Sequence, residues 1–98
     1  MRAGQLSSIP ENSVRECIVA GTPYAVCNVG GTIRAVSGIC PHQGGPLGQG
    51  NIHEGRVVCP YHMWEFDCVT GEYDYNASLR IPTYPIKIEG DEILIEVP

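Results

Sequence analysis

The sequence lacks the long apolar run that a membrane span requires, because none of its apolar stretches approaches the ~20 residues needed. It is also poor in basic residues, with 6 Lys and Arg against 11 Asp and Glu and a net charge of −5. A nucleic-acid surface or an anchor on anionic lipid would need a basic patch, so we expect neither a nucleic acid nor a membrane as partner. The first 13 residues contain no apolar signal-peptide core, and we therefore expect a cytoplasmic protein.

No stretch shows the 3.6-residue periodicity of an amphipathic helix. Short runs of β-branched and apolar residues alternate instead with turn residues, and the chain is rich in Gly (12) and Pro (8). These runs predict strands in the segments RECIVAG, PYAVCNV, TIRAVS, RVVC, WEFD and GEYDY and in a final hairpin, IKIEGDEILIEV. The pattern predicts a small antiparallel all-β protein, and 98 residues suit one domain, 1–98. The N-terminal 1–13 and the segment 76–85 read as irregular connections.

Two Cys/His pairs stand in the middle of the chain, within a glycine-rich region. Cys40 and His42 are two positions apart, and Cys59 and His62 are three apart. The pattern is C-x-H, sixteen intervening residues, then C-x-x-H, so each predicted loop offers one thiolate and one imidazole. In a reducing compartment, such clustering indicates a metal site or catalysis rather than disulfides.

Two alternatives remain open on the residues alone. Zinc is commonly bound by two Cys and two His, although zinc fingers pair like residues, whereas here each pair is mixed. A Cys–His nucleophilic site needs only one pair and leaves the duplicated spacing unexplained.

The remaining cysteines and the third histidine have simpler interpretations. Cys17, Cys27 and Cys68 are predicted to be small core residues, with a redox role also open for Cys68. The segment GNIHEG is predicted to be a polar turn, and His53 within it is predicted to be a surface residue.

The motif C-P-H-Q-G-G-P-L…C-P-Y-H-x-W-x-F-D-x-x-T-G resembles that of the Rieske family, and most closely its small soluble ferredoxins. The resemblance covers nearly the whole chain. It implies an antiparallel Rieske-type β-sandwich or barrel, in which a cluster-binding subdomain of two loops, about 38–73, is inserted into a β base formed by 1–37 and 74–98. It further implies one [2Fe-2S] cluster, with Cys40 and Cys59 on one iron and His42 and His62 on the other.

The sequence departs from the respiratory members of the family at four informative positions. Those proteins carry a disulfide-linked cysteine in each loop, where this chain has Gly45 and Tyr61. They also carry hydroxyl groups that donate toward the cluster, where this chain has Trp64 and Phe66. Fewer donors to sulfur lower the reduction potential, so we expect the low end of the Rieske range, near about −150 mV. Trp64 and Phe66 are expected to pack behind the cluster.

Apolar residues flank the predicted ligand loops. Pro46, Leu47 and Met63 fit either an apolar rim around a docking face or simple packing of the loops. The acidic net charge would speed encounter with a basic partner face, so we expect a transfer rate that falls as salt rises.

The chain has too few ligands for oxygenase chemistry of its own. A mononuclear iron site of two His and one carboxylate cannot be built when only His53 remains. No catalytic residue is therefore predicted, and no flavin or nicotinamide motif is present. The resemblance implies an electron carrier between a flavin-dependent ferredoxin reductase and a terminal oxygenase in bacterial aromatic-hydrocarbon catabolism. The alternatives are the small subunit of an assimilatory nitrite reductase, held by its large subunit, and a zinc-stabilised binding module.

Overall fold

The computed structural model describes residues 1–41, 44–61 and 63–97, with the side chain of Ala77 left aside. Within these ranges the chain forms twelve short strands and two single-turn 3-10 helices. The strands are β1 Arg2–Gln5, β2 Ser13–Val19, β3 Thr22–Val29, β4 Thr32–Ser37, β5 Asn51–His53, β6 Arg56–Val58, β7 Glu65–Asp67, β8 Glu72–Tyr73, β9 Asn76–Arg80, β10 Thr83–Tyr84, β11 Ile86–Glu89 and β12 Glu92–Ile95, and the 3-10 helices are Leu6–Ser8 and Leu47–Gln49. None of the helical turns in the described ranges has the length or apolarity to cross a bilayer.

The strands form three antiparallel sheets. Their orders are β1-β12-β11, β10-β4-β3-β2 and β5-β6-β7-β8-β9. Every strand pairing between described residues is antiparallel. This confirms the all-β, antiparallel fold class expected from the sequence.

The four-stranded sheet faces a separate apolar core on each side. On β3, Ala25 and Cys27 belong to one core, while Tyr24 and Val26 belong to the other. The first core also takes residues from the five-stranded sheet, among them Phe66, and the second takes residues from β12. The continuous apolar run of β3 is thus explained, because a strand buried on both faces does not alternate with polar residues.

Two predicted hairpin turns are present. Gly30 and Gly31 join β3 to β4 with φ of 59° and 89°, values that suit glycine and a two-residue turn. Gly90, with a φ of 62°, lies between β11 and β12. Both turns follow the Gly-containing dipeptides from which they were predicted.

The sequence-based expectation of irregular structure was wrong in three segments. The N-terminal segment contains β1, which pairs with β12, and 76–85 contains β9 and β10. The segment GNIHEG contains the strand β5, and only its last two residues form the turn that leads into β6. These strands are short and polar, so their residues have little intrinsic preference for a strand. Pairing with neighbouring strands determines their conformation instead. The predicted boundaries of the cluster-binding subdomain and the base remain predictions.

Candidate metal centre

The first predicted ligand loop begins at Cys40, just after β4. Cys40 is 1% exposed. Its backbone N–H donates to the carbonyl of Gly45 at 2.9 Å, and the N–H of Gly44 donates to the carbonyl of Cys40 at 2.8 Å. Gly44 has a φ of +71°, a conformation that glycine adopts without steric cost.

The second loop begins at Cys59, just after β6, and repeats this arrangement. Cys59 is also 1% exposed. Its N–H donates to the carbonyl of Trp64 at 2.8 Å, and the N–H of Met63 donates to the carbonyl of Cys59 at 3.0 Å. Met63 has a φ of +61° and so occupies the position that Gly44 holds in the first loop.

The two loops are therefore structural repeats at the backbone level. In each, the cysteine is bonded through its carbonyl to the fourth residue after it and through its N–H to the fifth. This repeat presents the two cysteines in the same way, which suits a site built from two matched halves. The predicted ligands His42 and His62 lie outside the described residues, so their placement as ligands stays a prediction.

The loops meet at Gly45. An ideal Cβ placed on this residue would lie 2.6 Å from the Sγ of Cys59 and 3.2 Å from the Cγ of Tyr61. Only a residue without a side chain leaves the Cys59 sulfur in place. The structure also brings together Gly45 and Tyr61, the two positions at which the respiratory proteins would carry their linked cysteines.

The side chains of both predicted cysteine ligands are surrounded by apolar residues. Cys40 and Cys59 share a core with Leu47, Val57 and Phe66, all fully buried. Thiolates are the soft ligands that iron–sulfur clusters use, and an apolar shell limits the access of water to such a centre. The donor set and the close approach at Gly45 both fit an inorganic cluster held between the loops.

The expectation of an apolar rim around the loops is only partly met. Leu47 is 0% exposed and belongs to the core, so for this residue the packing alternative holds and the rim alternative does not. Met63, Tyr61 and Ile39 are instead exposed large apolar side chains beside the loops. Pro46 is half-buried and forms an isolated bridge with Ile39.

A charged network lies on the strands that support the second loop. The Nε of Arg56 donates a hydrogen bond to Glu65 at 3.0 Å and lies 3.6 Å from the carboxylate of Asp74. A terminal guanidinium nitrogen of Arg56 lies 3.5 Å from the carboxylate of Glu54. His53, exposed as predicted, contacts the same Glu65 oxygen through Nδ1 at 3.2 Å. Burial opposes ionisation of Glu65, but the hydrogen bonds from Arg56 and His53 outweigh it and lower the pKa of Glu65. The network ties β5, β6 and β7 together at the base of the loop.

The three remaining cysteines are buried, as predicted. Cys27 and Cys68 are joined by a side-chain hydrogen bond between β3 and the turn after β7. This bond and burial together raise the pKa of the Cys27 thiol far above its ordinary value. Cys68 is therefore part of a buried thiol pair, and its proposed redox role stays a prediction.

Sequence reasoning missed Tyr73 as a neighbour of the site. The ring of Tyr73 stacks on that of Trp64, with centroids 4.3 Å apart, and both rings pack against the core that holds the two cysteines. Burial raises the pKa of Tyr73, with further contributions from Tyr75, Asp74 and Cys40. The aromatic residues alternate along β7 and β8 and the residues next to these strands, and this alternation could have indicated the cluster of Trp64, Phe66, Tyr73 and Tyr75. Trp64 and Phe66 do pack beside the cysteines, as expected.

Comparison with known proteins agrees with this geometry. A family model described as the Rieske [2Fe-2S] domain matches residues 1–85. The ferredoxin component of a naphthalene 1,2-dioxygenase system from Pseudomonas aeruginosa is 33% identical over 93 residues, covering 94% of this chain and 89% of the relative. A ferredoxin from Sphingomonas yanoikuyae B1 superposes with a TM-score of 0.89 at 27% identity, covering 100% of this chain and 98% of its own. The ferredoxin of carbazole 1,9a-dioxygenase from Nocardioides aromaticivorans IC177 gives 0.85 at 28% identity, with coverages of 97% and 94%.

Proposed function

Because the chain belongs to the Rieske [2Fe-2S] domain family, we propose that it is a ferredoxin that carries one electron at a time to a terminal oxygenase. The electron would come from a flavin-dependent reductase, and the system would act in the oxidation of aromatic compounds. The cluster, when bound, supplies reversible one-electron chemistry. The chain itself is an electron carrier rather than an enzyme, as are the ferredoxin components to which it is similar.

The proposed ligands are Cys40 and Cys59 on one iron and His42 and His62 on the other. The observation that carries the cysteine half of this assignment is the backbone repeat of the two loops, which presents Cys40 and Cys59 alike. The histidine half rests on the sequence motif. The contact between Gly45 and Cys59 supports it, because it holds the loops against each other. Two neutral imidazoles in place of two thiolates leave the cluster less negative, which raises its potential above that of all-Cys clusters. Since Trp64 and Phe66 carry no hydroxyl, we retain the expectation of the low end of the Rieske range, about −150 mV.

We further propose that partners dock on the exposed residues beside the loops. Tyr61 and Met63 are 59% and 68% exposed and stand on either side of the proposed ligand His62 in the sequence. A small, partly apolar surface suits a weak encounter that forms and breaks quickly. The acidic charge of the chain would favour a basic partner face. The compartment we propose is the cytoplasm, where buried thiols such as Cys17, Cys27 and Cys68 stay reduced.

Substitution of the proposed cysteine ligands tests this proposal, with a buried cysteine that is not a proposed ligand as the control. Iron, acid-labile sulfide and the visible spectrum would be measured for Cys40→Ser, Cys59→Ser and, as control, Cys68→Ser. We expect the first two variants to lose or alter the cluster spectrum and the Cys68 variant to keep it. Equal loss in all three would assign no special role to Cys40 and Cys59. A colourless wild type with zinc bound would replace the proposal by the zinc-stabilised module.

Reconstituted transfer tests the physiological role. The holoprotein would be reduced by a flavin-dependent ferredoxin reductase with NADH and then mixed with the oxygenase of a naphthalene dioxygenase system. Reoxidation faster than in oxygenase-free buffer supports the proposal. Stable co-purification with a large sirohaem-containing subunit would favour the nitrite reductase alternative instead.

A further inference from the structure

Four aromatic rings form a continuous series from the buried core to the surface. Phe66 contacts Trp64 and Tyr73, with ring centroids 6.4 Å and 5.5 Å away. Trp64 and Tyr73 are stacked at 4.3 Å with 17° between their planes. Tyr73 then meets Tyr75 edge to face at 5.8 Å. These separations lie at or near van der Waals contact between rings.

The two ends of this series lie in opposite environments. Phe66 is 0% exposed and shares its core with Cys40 and Cys59, whereas Tyr75 is 86% exposed. Trp64 and Tyr73 lie between them, half-buried, and pack against that same core. The rings therefore lead from the cysteine-lined side of the core to solvent.

The backbone fixes the order of the rings. Trp64 is held by the hydrogen bond from Cys59 that closes the second loop. Phe66 and Tyr73 are direct partners across β7 and β8. The N–H of Asp74 donates to the carbonyl of Glu65 at 3.0 Å, which fixes the turn that carries Tyr75. The backbone pairing of these segments thus determines which rings lie next to each other.

We propose that Trp64, Tyr73 and Tyr75 form a relay that conducts oxidising equivalents away from the cysteine side of the core to the surface. Indole and phenol side chains can each lose one electron to a strong oxidant, whereas the phenyl ring of Phe66 cannot do so readily. At neutral pH a tyrosine is a somewhat better one-electron reductant than a tryptophan, so the oxidised state moves outward from Trp64. This role goes beyond electron delivery and depends only on side chains within the described ranges.

Each step of the relay balances. A peroxide-derived radical takes one electron from Trp64, and the indole N–H proton passes to water. Tyr73 then gives one electron to the Trp64 radical, its phenolic proton is released, and the indole regains a proton. Tyr75 reduces the Tyr73 radical in the same way. A small reductant such as a thiol or ascorbate finally supplies one electron and one proton to the exposed Tyr75 radical.

A simple packing role for the same rings makes a different prediction. Removing a ring would then lower stability, but removing only a hydroxyl would leave radical transfer untouched. Tyr73→Phe and Tyr75→Phe keep the rings and remove the oxidisable group, so they separate the two roles. Tyr75 is so exposed that its substitution does not threaten folding. Tyr84, which meets Tyr24 edge to face at 4.9 Å in the other core, provides the matched control.

The test is pulse radiolysis of the holoprotein with the azide radical, which oxidises tryptophan. The chain has a single Trp, so the tryptophanyl radical reports on Trp64 alone. In the wild type and in Tyr84→Phe we expect its absorption to fall as that of a tyrosyl radical rises, at a rate independent of protein concentration. In Tyr73→Phe, and further in the Tyr73→Phe/Tyr75→Phe double variant, we expect this rate to drop by about tenfold or more. An unchanged rate in the double variant, or an equal drop in Tyr84→Phe, would overturn the relay.

Discussion

Gly45 lies directly against the sulfur of Cys59, so close that a methyl group at position 45 would sit 2.6 Å from it. This contact joins residues from two different loops that are fourteen positions apart in sequence. It leaves no room for a side chain at position 45 while the thiol keeps its place. The geometry of the proposed cluster site therefore depends on a glycine that is not itself a ligand.

We predict that Gly45→Ala disturbs cluster binding more than folding. The added Cβ must displace the Cys59 sulfur or the Tyr61 ring, which moves a proposed ligand. Iron content and the visible spectrum of the purified variant measure this effect. Gly44→Ala is the control: its φ of +71° makes alanine strained by about 1–2 kcal/mol, but no described atom lies within 4 Å of its Cβ. Full iron content and an unchanged spectrum in Gly45→Ala would show that the site tolerates the displacement.

Met63→Gly should stabilise the protein. Met63 has a φ of +61° at the position where the first loop has Gly44, and this conformation costs a non-glycine residue about 1–2 kcal/mol. Glycine also lowers the free energy of unfolding by about 0.5–1 kcal/mol, because it has greater freedom in the unfolded chain. The net increase in the free energy of unfolding is therefore about 0.5–1 kcal/mol. The measurement is Tm, and about 4–8 °C per kcal/mol is expected for a chain of this size.

Met63→Ala separates backbone strain from side-chain contacts. It removes the exposed side chain and keeps the strained φ, so its Tm should stay near that of the wild type. A Met63→Gly variant less stable than Met63→Ala would mean that the strain at this position is negligible.

Much of the fold could be predicted from the sequence because its longer strands carry their own signal. The β2–β4 meander and the final hairpin combine apolar runs with Gly-containing turns, and all of them are present. By contrast, β1 reads RAGQ and β5 reads NIH, with no local pattern to mark a strand. Their pairing partners, β12 and β6, determine their conformation. The sequence of a short segment does not reveal which distant strand it pairs with.

For the candidate site, the sequence could indicate which residues to propose as ligands. The Cys/His spacing is a local motif, so Cys40 and Cys59 can be proposed as ligands without a structure. The stacking of Tyr73 on Trp64 and the thiol pair of Cys27 and Cys68 join residues from separate strands. Such contacts depend on sheet register, which the motif does not specify.

Acid should weaken the protein partly through Glu65. Its pKa is lowered in the folded state from an ordinary value of 4.5, so its ionised form stabilises the fold above that pH. This contribution is lost as the pH falls through the lowered pKa. We expect Glu65→Gln to have a lower Tm than the wild type near pH 7 and the difference to shrink well below pH 4.5. A difference that stays constant across this range would exclude the charge of Glu65 as its cause.

Alkali should weaken the protein partly through Cys27. Its pKa is raised in the folded state from an ordinary value of 9.0, so above that pH the unfolded chain ionises while the folded chain does not. One such group lowers the free energy of unfolding by up to about 1.4 kcal/mol per pH unit. The hydrogen bond from Cys27 lowers the pKa of Cys68, so removing Cys27 alone would leave Cys68 as a buried thiol of its own. The Cys27→Ala/Cys68→Ala double variant should therefore lose Tm less steeply than the wild type between pH 9 and 10.5. Parallel curves for the two proteins would contradict this account of Cys27.

The central claim is that two cysteines and two histidines share one [2Fe-2S] cluster, and it is tested most directly by electron–nuclear double resonance of the reduced protein carrying 15N-labelled histidine. The account predicts strong coupling of the unpaired electron to two histidine nitrogens. The same two couplings should persist in His53→Asn, because His53 lies in the Glu65 network and is not a proposed ligand. A cluster signal without histidine coupling, or with coupling that disappears in His53→Asn, would contradict the assignment of His42 and His62.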